Sequence, residues 1–137
     1  MAYWLMKTEP DDYSWDRLVD EGETEWTGVR NHQAARNMRT MRRGEGCFFY
    51  RSVVDPAIVG VMTVSREAYP DEDDPTGKFC RVRVRPLRPA AREVPLKVIK
   101  ADPGLADLAL VRQSRLSVMP VGDEHWRILC GMAGIEA

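Results

Sequence analysis

The stretch WTGVRNHQAARNMRTMRRGEGCFFYRS, residues 26–52, decides how this chain folds, because an aromatic and basic entry runs into a helix and the helix into a strand. Asn31 is a good helix N-cap, since its side-chain carbonyl can accept from unpaired amides of the first turn; Gly44 suits the left-handed residue that ends a helix. Between them, Ala34, Ala35, Met38 and Met41 recur at three- and four-residue spacing and share one apolar face. The opposite side carries Arg36, Arg39, Arg42 and Arg43, and no acidic residue occurs from Trp26 through Arg43. Such a helix has one face for a core and one for anions. The strand from Cys47 to Ser52 alternates, with Phe48, Tyr50 and Ser52 on one side of the pleat and Cys47, Phe49 and Arg51 on the other. A strand this aromatic is expected to be buried on both faces.

Two readings of this unit stand side by side. In one it is packing, with aromatics filling a core and the arginines forming a solvated face. In the other, Trp26 and Tyr50 flank a slot floored by helix-start amides, where a flat ring can stack and a polar edge can bond.

Upstream, Tyr3 to Lys7 reads as a strand, with Tyr3, Leu5 and Lys7 on one side and Trp4, Met6 and Thr8 on the other. Ser14 caps a short helix, Trp15 to Asp20, that Gly22 closes, and a polar connection leads to Trp26. Downstream, Asp55-Pro56 makes a turn, and Ile58 to Val64 is a β-rich run that pairs antiparallel with the preceding strand. Glu72 to Lys78 is an acidic loop with Pro75 and Gly77, expected to be mobile. Phe79 to Arg85 alternates, with Cys80, Val82 and Val84 inward and Arg81, Arg83 and Arg85 outward, and Pro86, Pro89 and Pro95 imply bulges and an edge position. Leu96 to Ala101 makes a helical turn, Pro103-Gly104 a break, and Leu105 to Val111 is helical or irregular. Ser114 to Pro120 reads as a strand, and Asp123 caps a last helix that runs through Cys130 to a stop at Gly131. The sum is an α+β domain: a small, partly open mixed β-barrel of about five or six strands with short helices around it.

At 137 residues and 44% hydrophobic content the chain makes one domain with one ordinary core. Cys47, Cys80 and Cys130 are odd in number and sit in apolar runs, so they read as reduced thiols of a cytoplasmic protein. The opening residues lack the basic prelude and apolar length of a signal peptide, and no apolar run is long enough to span a membrane. A net charge of −1 argues against nonspecific coating of nucleic acid. Its distribution is uneven. Acids crowd Glu9 to Glu25, and bases crowd Lys78 to Lys100; if the basic helix and basic strand share a side, the molecule is polarised.

There is no Gly-rich phosphate loop, no GxSxG elbow and no Cys/His metal spacing, and neither metal nor other cofactor is expected. Lys7-Thr8-Glu9 is the best catalytic candidate, since burial can turn a lysine into a base, but Pro10 carries Glu9 out of the strand.

Five separated motifs resemble one family. Tyr-Trp-Leu-Met-Lys-Thr-Glu-Pro (3–10), the run from Trp26 to Arg39, Phe-Phe-Tyr-Arg-Ser (48–52), Ala-Tyr-Pro-Asp (68–71) and Ser-Arg-Leu-Ser-Val-Met-Pro-Val (114–121) are similar to the EVE domain, and to its stand-alone bacterial members in particular. The resemblance implies a PUA-like barrel related to the YTH domains, and a non-enzymatic pocket for a modified base, most often a modified cytosine in DNA. Carried over, the pocket uses Lys7 and Thr8, Trp26, Val29, Arg30 and Asn31, Tyr50 and Ser52, and Arg115 with Ser117. Arg36, Arg39 and Arg43 then meet the nucleic-acid backbone. A monomer binding DNA rather than RNA is expected; the alternatives are an RNA-binding PUA-like module and an enzyme acting on a modified nucleoside with Lys7 as base. Two departures stand out: Arg51 replaces the family's usual histidine, and Phe79 a common tryptophan.

Overall fold

The computed structural model describes residues 1–136. Six strands, β1 (Tyr3–Thr8), β2 (Thr24–Trp26), β3 (Gly46–Arg51), β4 (Ala57–Pro70), β5 (Cys80–Pro95) and β6 (Val118–Val121), form one sheet in the order β2-β5-β4-β3-β1-β6. Only β1 and β3 run parallel; the remaining neighbours are antiparallel. The expected barrel is not closed, since β2 and β6 are unpaired edges of the sheet. Five α-helices surround it: α1 (Trp15–Glu21), α2 (His32–Thr40), α3 (Leu96–Ala101), α4 (Ala109–Arg112) and α5 (Asp123–Ala133), with a 3-10 turn at Pro103–Leu105.

Strand β3 is the axis of the core because its two faces carry different aromatics. On one face Phe48, in register with Leu5, stacks on Trp126 of α5 at 4.1 Å, and Trp126 also stacks on Tyr3 at 4.2 Å. On the other, Phe49 meets the edges of Trp15 at 5.5 Å and Trp26 at 5.8 Å, so α1 and β2 cover that side. Both phenylalanines are fully buried, and truncating either to alanine costs about 3–5 kcal/mol. At its N-terminus α2 behaves as its sequence dictates: the Asn31 side chain accepts from the Ala34 amide, and Ala34, Ala35, Met38 and Met41 are buried.

The connection before Trp26 contains β2, whose Thr24, Glu25 and Trp26 pair with Val84, Arg83 and Val82. Helix α2 ends at Thr40 rather than reaching Gly44; the latter has a left-handed φ of 91° but sits in the following turn. Strands β4 and β5 are longer than their apolar runs, and β5 continues through Pro86 and Pro89 because bulges interrupt its register with β4 there. It is a true edge only beyond the short reach of β2. Residues 114–117 precede β6 instead of belonging to it, and α5 continues past Gly131 to a left-handed Gly134. The acidic loop is not loose: Asp71 and Asp74 are buried and bonded.

The charge blocks also meet rather than separate. Arg81, expected outward, is 7% exposed and binds Glu25, Asp71 and Asp73 at 2.7, 3.0 and 2.9 Å. Arg83 reaches Glu23 and Glu25, and Arg85 reaches Glu23. The stretch from Arg81 to Arg85 is thereby neutralised by the acidic segment beside it, while the arginines of α2 and, further on, Lys97 and Lys100 stay exposed. All three cysteines are buried and unpaired, and among the described residues no helix is long and apolar enough to cross a membrane.

Candidate base-binding pocket

A cavity of about 980 Å³ opens where the ends of β1 and β3 meet the entry to α2. Four separate parts of the chain converge on it. The parallel pairing of β1 and β3 sets Lys7 opposite Tyr50, and the lysine Nζ lies 5.8 Å from the tyrosine ring centre. Gly28, at φ 79°, takes a left-handed turn that most residues avoid and brings Val29, Arg30 and Asn31 from β2 onto the helix start. The backbone amide of Lys7 donates to Ser117 O at 2.8 Å, which ties the segment before β6, with Ser114, Arg115 and Ser117, to the same rim.

All ten residues singled out as pocket candidates border this one cavity: Lys7, Thr8, Trp26, Val29, Arg30, Asn31, Tyr50, Ser52, Arg115 and Ser117. The arginines of α2, and Arg43 beyond its end, lie outside it. Arg36, Arg39 and Arg43 are exposed, and Arg39 is engaged with the Lys78 carbonyl. Tyr13, Glu25, Val53, Leu96 and Ser114 also line the cavity and were not singled out. Their contribution comes from long-range pairing, which spacing along the chain does not show.

The two aromatics do not form the simple facing walls expected of them. Trp26 is 5% and Tyr50 2% exposed; Trp26 packs against Phe49, whose side of the β3 pleat is opposite that of Tyr50. Both border the one cavity, Trp26 from β2 where it packs on Phe49 and Tyr50 from β3 beside Lys7. Burial pushes the Tyr50 hydroxyl up to about 12, so it stays a neutral donor at any physiological pH.

Much of the donor capacity is already committed. Lys7 Nζ donates to Ser114 O at 3.0 Å, and partial burial lowers its pKa. Arg30 donates to Val29 O at 3.0 Å and to Asp71 Oδ2 at 2.8 Å, while its guanidinium lies 5.4 Å over the Phe79 ring. Phe79 itself stacks on His32 at 5.1 Å, so the phenylalanine still packs against the helix start. Asn31 Oδ1 is used as the helix cap, which leaves its amide N–H₂ available. Among the described residues no cluster of His, Cys, Asp and Glu is arranged to hold a metal.

An open mixed sheet with one polar-and-aromatic cleft at a helix entry is the architecture of a PUA-like α+β domain. The EVE domain model matches residues 2–132, and the chain belongs to the EVE domain family. Thymocyte nuclear protein 1 of Homo sapiens is 33% identical over 161 residues, covering 91% of this chain and 71% of that protein. The chain spans 66% of the length of the Gallus gallus relative and 74% of the Mus musculus one. Among solved structures, the Rhodopseudomonas palustris protein Rpa0253 superposes with a TM-score of 0.92 at 48% identity, covering 98% of this chain and 94% of that one. The human THYN1 protein in complex with 5-methylcytosine-containing DNA superposes with a TM-score of 0.90 at 29% identity, with full coverage (100%) of both chains. A YTH domain of Zygosaccharomyces rouxii in complex with N6-methyladenosine RNA has a TM-score of 0.62 at 14% identity over 99% of this chain and 88% of that one, a likeness of fold alone.

Proposed function

We propose that this protein is a non-enzymatic module that takes a modified base of nucleic acid, a modified cytosine in DNA, into the cavity beside Tyr50. The observation that carries the proposal is convergence: residues from β1, the entry to α2, β3 and the segment before β6 line one space although the chain separates them widely. The fold shared with a protein whose structure contains 5-methylcytosine DNA supports the choice of ligand.

In this reading Tyr50 and Trp26 provide aromatic surface, and stacking on such surface contributes roughly 1–3 kcal/mol per base. Lys7 keeps two N–H donors beyond its bond to Ser114, and Asn31 its amide donors, for the polar edge of the base. Ser52, Ser117 and Arg115 complete the rim, and Thr8, Val29 and Arg30 shape its sides. Arg36 and Arg43 attract phosphates without choosing the base.

The test is Lys7→Met, which removes a charged donor and retains the stem. Affinity for an oligonucleotide carrying 5-methylcytosine should fall about tenfold or more with the thermal midpoint preserved. Equal affinity of the unmutated protein for modified and unmodified oligonucleotides would remove the reading. The lowered pKa of the half-buried Lys7 favours one second reading, a lysine base acting on a modified nucleoside. Product formation from nucleosides, lost in Lys7→Met, would support that reading instead.

A further inference from the structure

The loop between β3 and β4 has two residues at positive φ, a conformation that Asp55 tolerates and Val53 opposes. Val53 has φ 71° and Asp55 φ 47°. The Val54 amide donates to Ser52 O at 2.9 Å, closing a γ-turn around Val53, and a β-branched side chain is strained at positive φ. Burial does not compensate this strain, because Val53 is 69% and Val54 56% exposed. The loop is nevertheless held from below. Arg51 Nε donates to Val54 O and Asp55 O, both at 3.1 Å, and the same guanidinium makes two bonds to Glu93 at 3.0 and 2.7 Å. The result is a stiff tip of two apolar side chains, and Val53 lies on the rim of the cavity next to Ser52 and Pro56. On the tip's far side, Lys97 and Lys100 line a second groove together with Arg51 and Asp55.

We propose that Val53 and Val54 form a wedge that enters the base stack of duplex DNA and fills the space left by the base that turns into the cavity. The proposal rests on the base-binding reading and deepens it. A stacked base cannot reach a cavity of this kind; extruding it leaves an unstacked step, and an apolar side chain inserted there offsets part of that cost. A tip already fixed by Arg51 loses little conformational freedom on insertion, and Lys97 and Lys100 stand where flanking phosphates would need neutralising. A single strand leaves no gap and needs no wedge.

The experiment compares the unmutated protein with the double variant Val53→Ser/Val54→Ser on one strand containing a single 5-methylcytosine, both alone and in a duplex with 2-aminopurine beside the modified base. Serine tolerates the backbone conformation at least as well as valine, so the variant should melt no lower than the parent. The expected result is a loss on the duplex about tenfold greater than any loss on the single strand, whose base the rim residue Val53 also borders, and a rise in 2-aminopurine fluorescence that only the unmutated protein produces. Unchanged duplex affinity, an equal loss on both substrates, or no duplex binding by the unmutated protein would each overturn the wedge. Failure of the base-binding reading shows separately, as equal binding of modified and unmodified single strands by the unmutated protein.

Discussion

Asp74 turns an acidic stretch into fixed structure. Its Oδ1 accepts from the Thr76 hydroxyl at 2.6 Å and the Thr76 amide at 2.9 Å, and its Oδ2 accepts from the Lys78 and Phe79 amides, both at 2.9 Å. The Thr76 hydroxyl bond first, and these backbone donors with it, hold the carboxyl well below the ordinary aspartate range, at about 2. Since the folded value lies below the unfolded one, the stabilisation is fully present above the ordinary aspartate pKa and is lost as pH falls towards about 2. Carboxyl chemical shifts followed against pH should place the Asp74 midpoint near that value, and Asp74→Asn should flatten the acid limb of the stability profile; a midpoint at or above the ordinary value would contradict this. Composition alone made the loop look mobile because its bonds run to backbone amides, which residue identity does not reveal. Asn31 was legible for the converse reason: a helix cap is a local device written in consecutive residues. Trp26 shows a third case, since its residue type suited a pocket wall equally well as a core. It is both, so Trp26→Ala should cost about 3–5 kcal/mol of stability, and any loss of binding in that variant would be confounded.

At the scale of elements, apolar alternation found β1 and β3 and the antiparallel turn into β4, while pairings dictated by partners far along the chain escaped it. Strand β2 follows Glu23 and carries Glu25 at its centre, a composition that disfavours a strand when read alone. It forms because Glu25 lies directly across from Arg83 and bonds it at 3.2 Å. The same dependence hid the length of β5, whose prolines are accommodated by bulges. Packing across the sheet is tight at one point in particular. A Cβ built on Gly60 would stand 2.6 Å from the Trp15 ring, closer than such atoms approach, in a strand already bulged against β3 and β5. Gly60→Ala should therefore destabilise the protein by about 1–3 kcal/mol in a denaturant titration, through displacement of α1. A variant as stable as the parent would show that Trp15 can move freely, and the description of that face would be wrong.

For the whole molecule, the meeting of acidic and basic segments at β2, β5 and the 71–79 loop changes how the charge of −1 should be understood. Arg81, Arg83 and Arg85, which made the later half look basic, are internally paired, and the cations left for a polyanion include Arg36, Arg43, Lys97 and Lys100. Arg36→Gln should reduce the salt dependence of nucleic-acid binding by about one counterion while preserving the preference between modified and unmodified bases. Loss of preference in that variant would place Arg36 in base recognition. Three tryptophans stand in different surroundings, which suits a direct readout: Trp26 borders the cavity, Trp4 donates to Glu45 Oε1, and Trp126 of α5 stacks on Tyr3 and Phe48. Titrating ¹⁵N-labelled protein with paired oligonucleotides that differ only in one 5-methyl group on cytosine, and following the indole N–H signals, therefore shows whether this cavity recognises the modified base. A saturable shift of the Trp26 signal is expected at lower concentration of the methylated strand than of the unmethylated one, with Trp4 and Trp126 unmoved. Identical titration curves for the two strands, or a shift confined to Trp4 or Trp126, would contradict it.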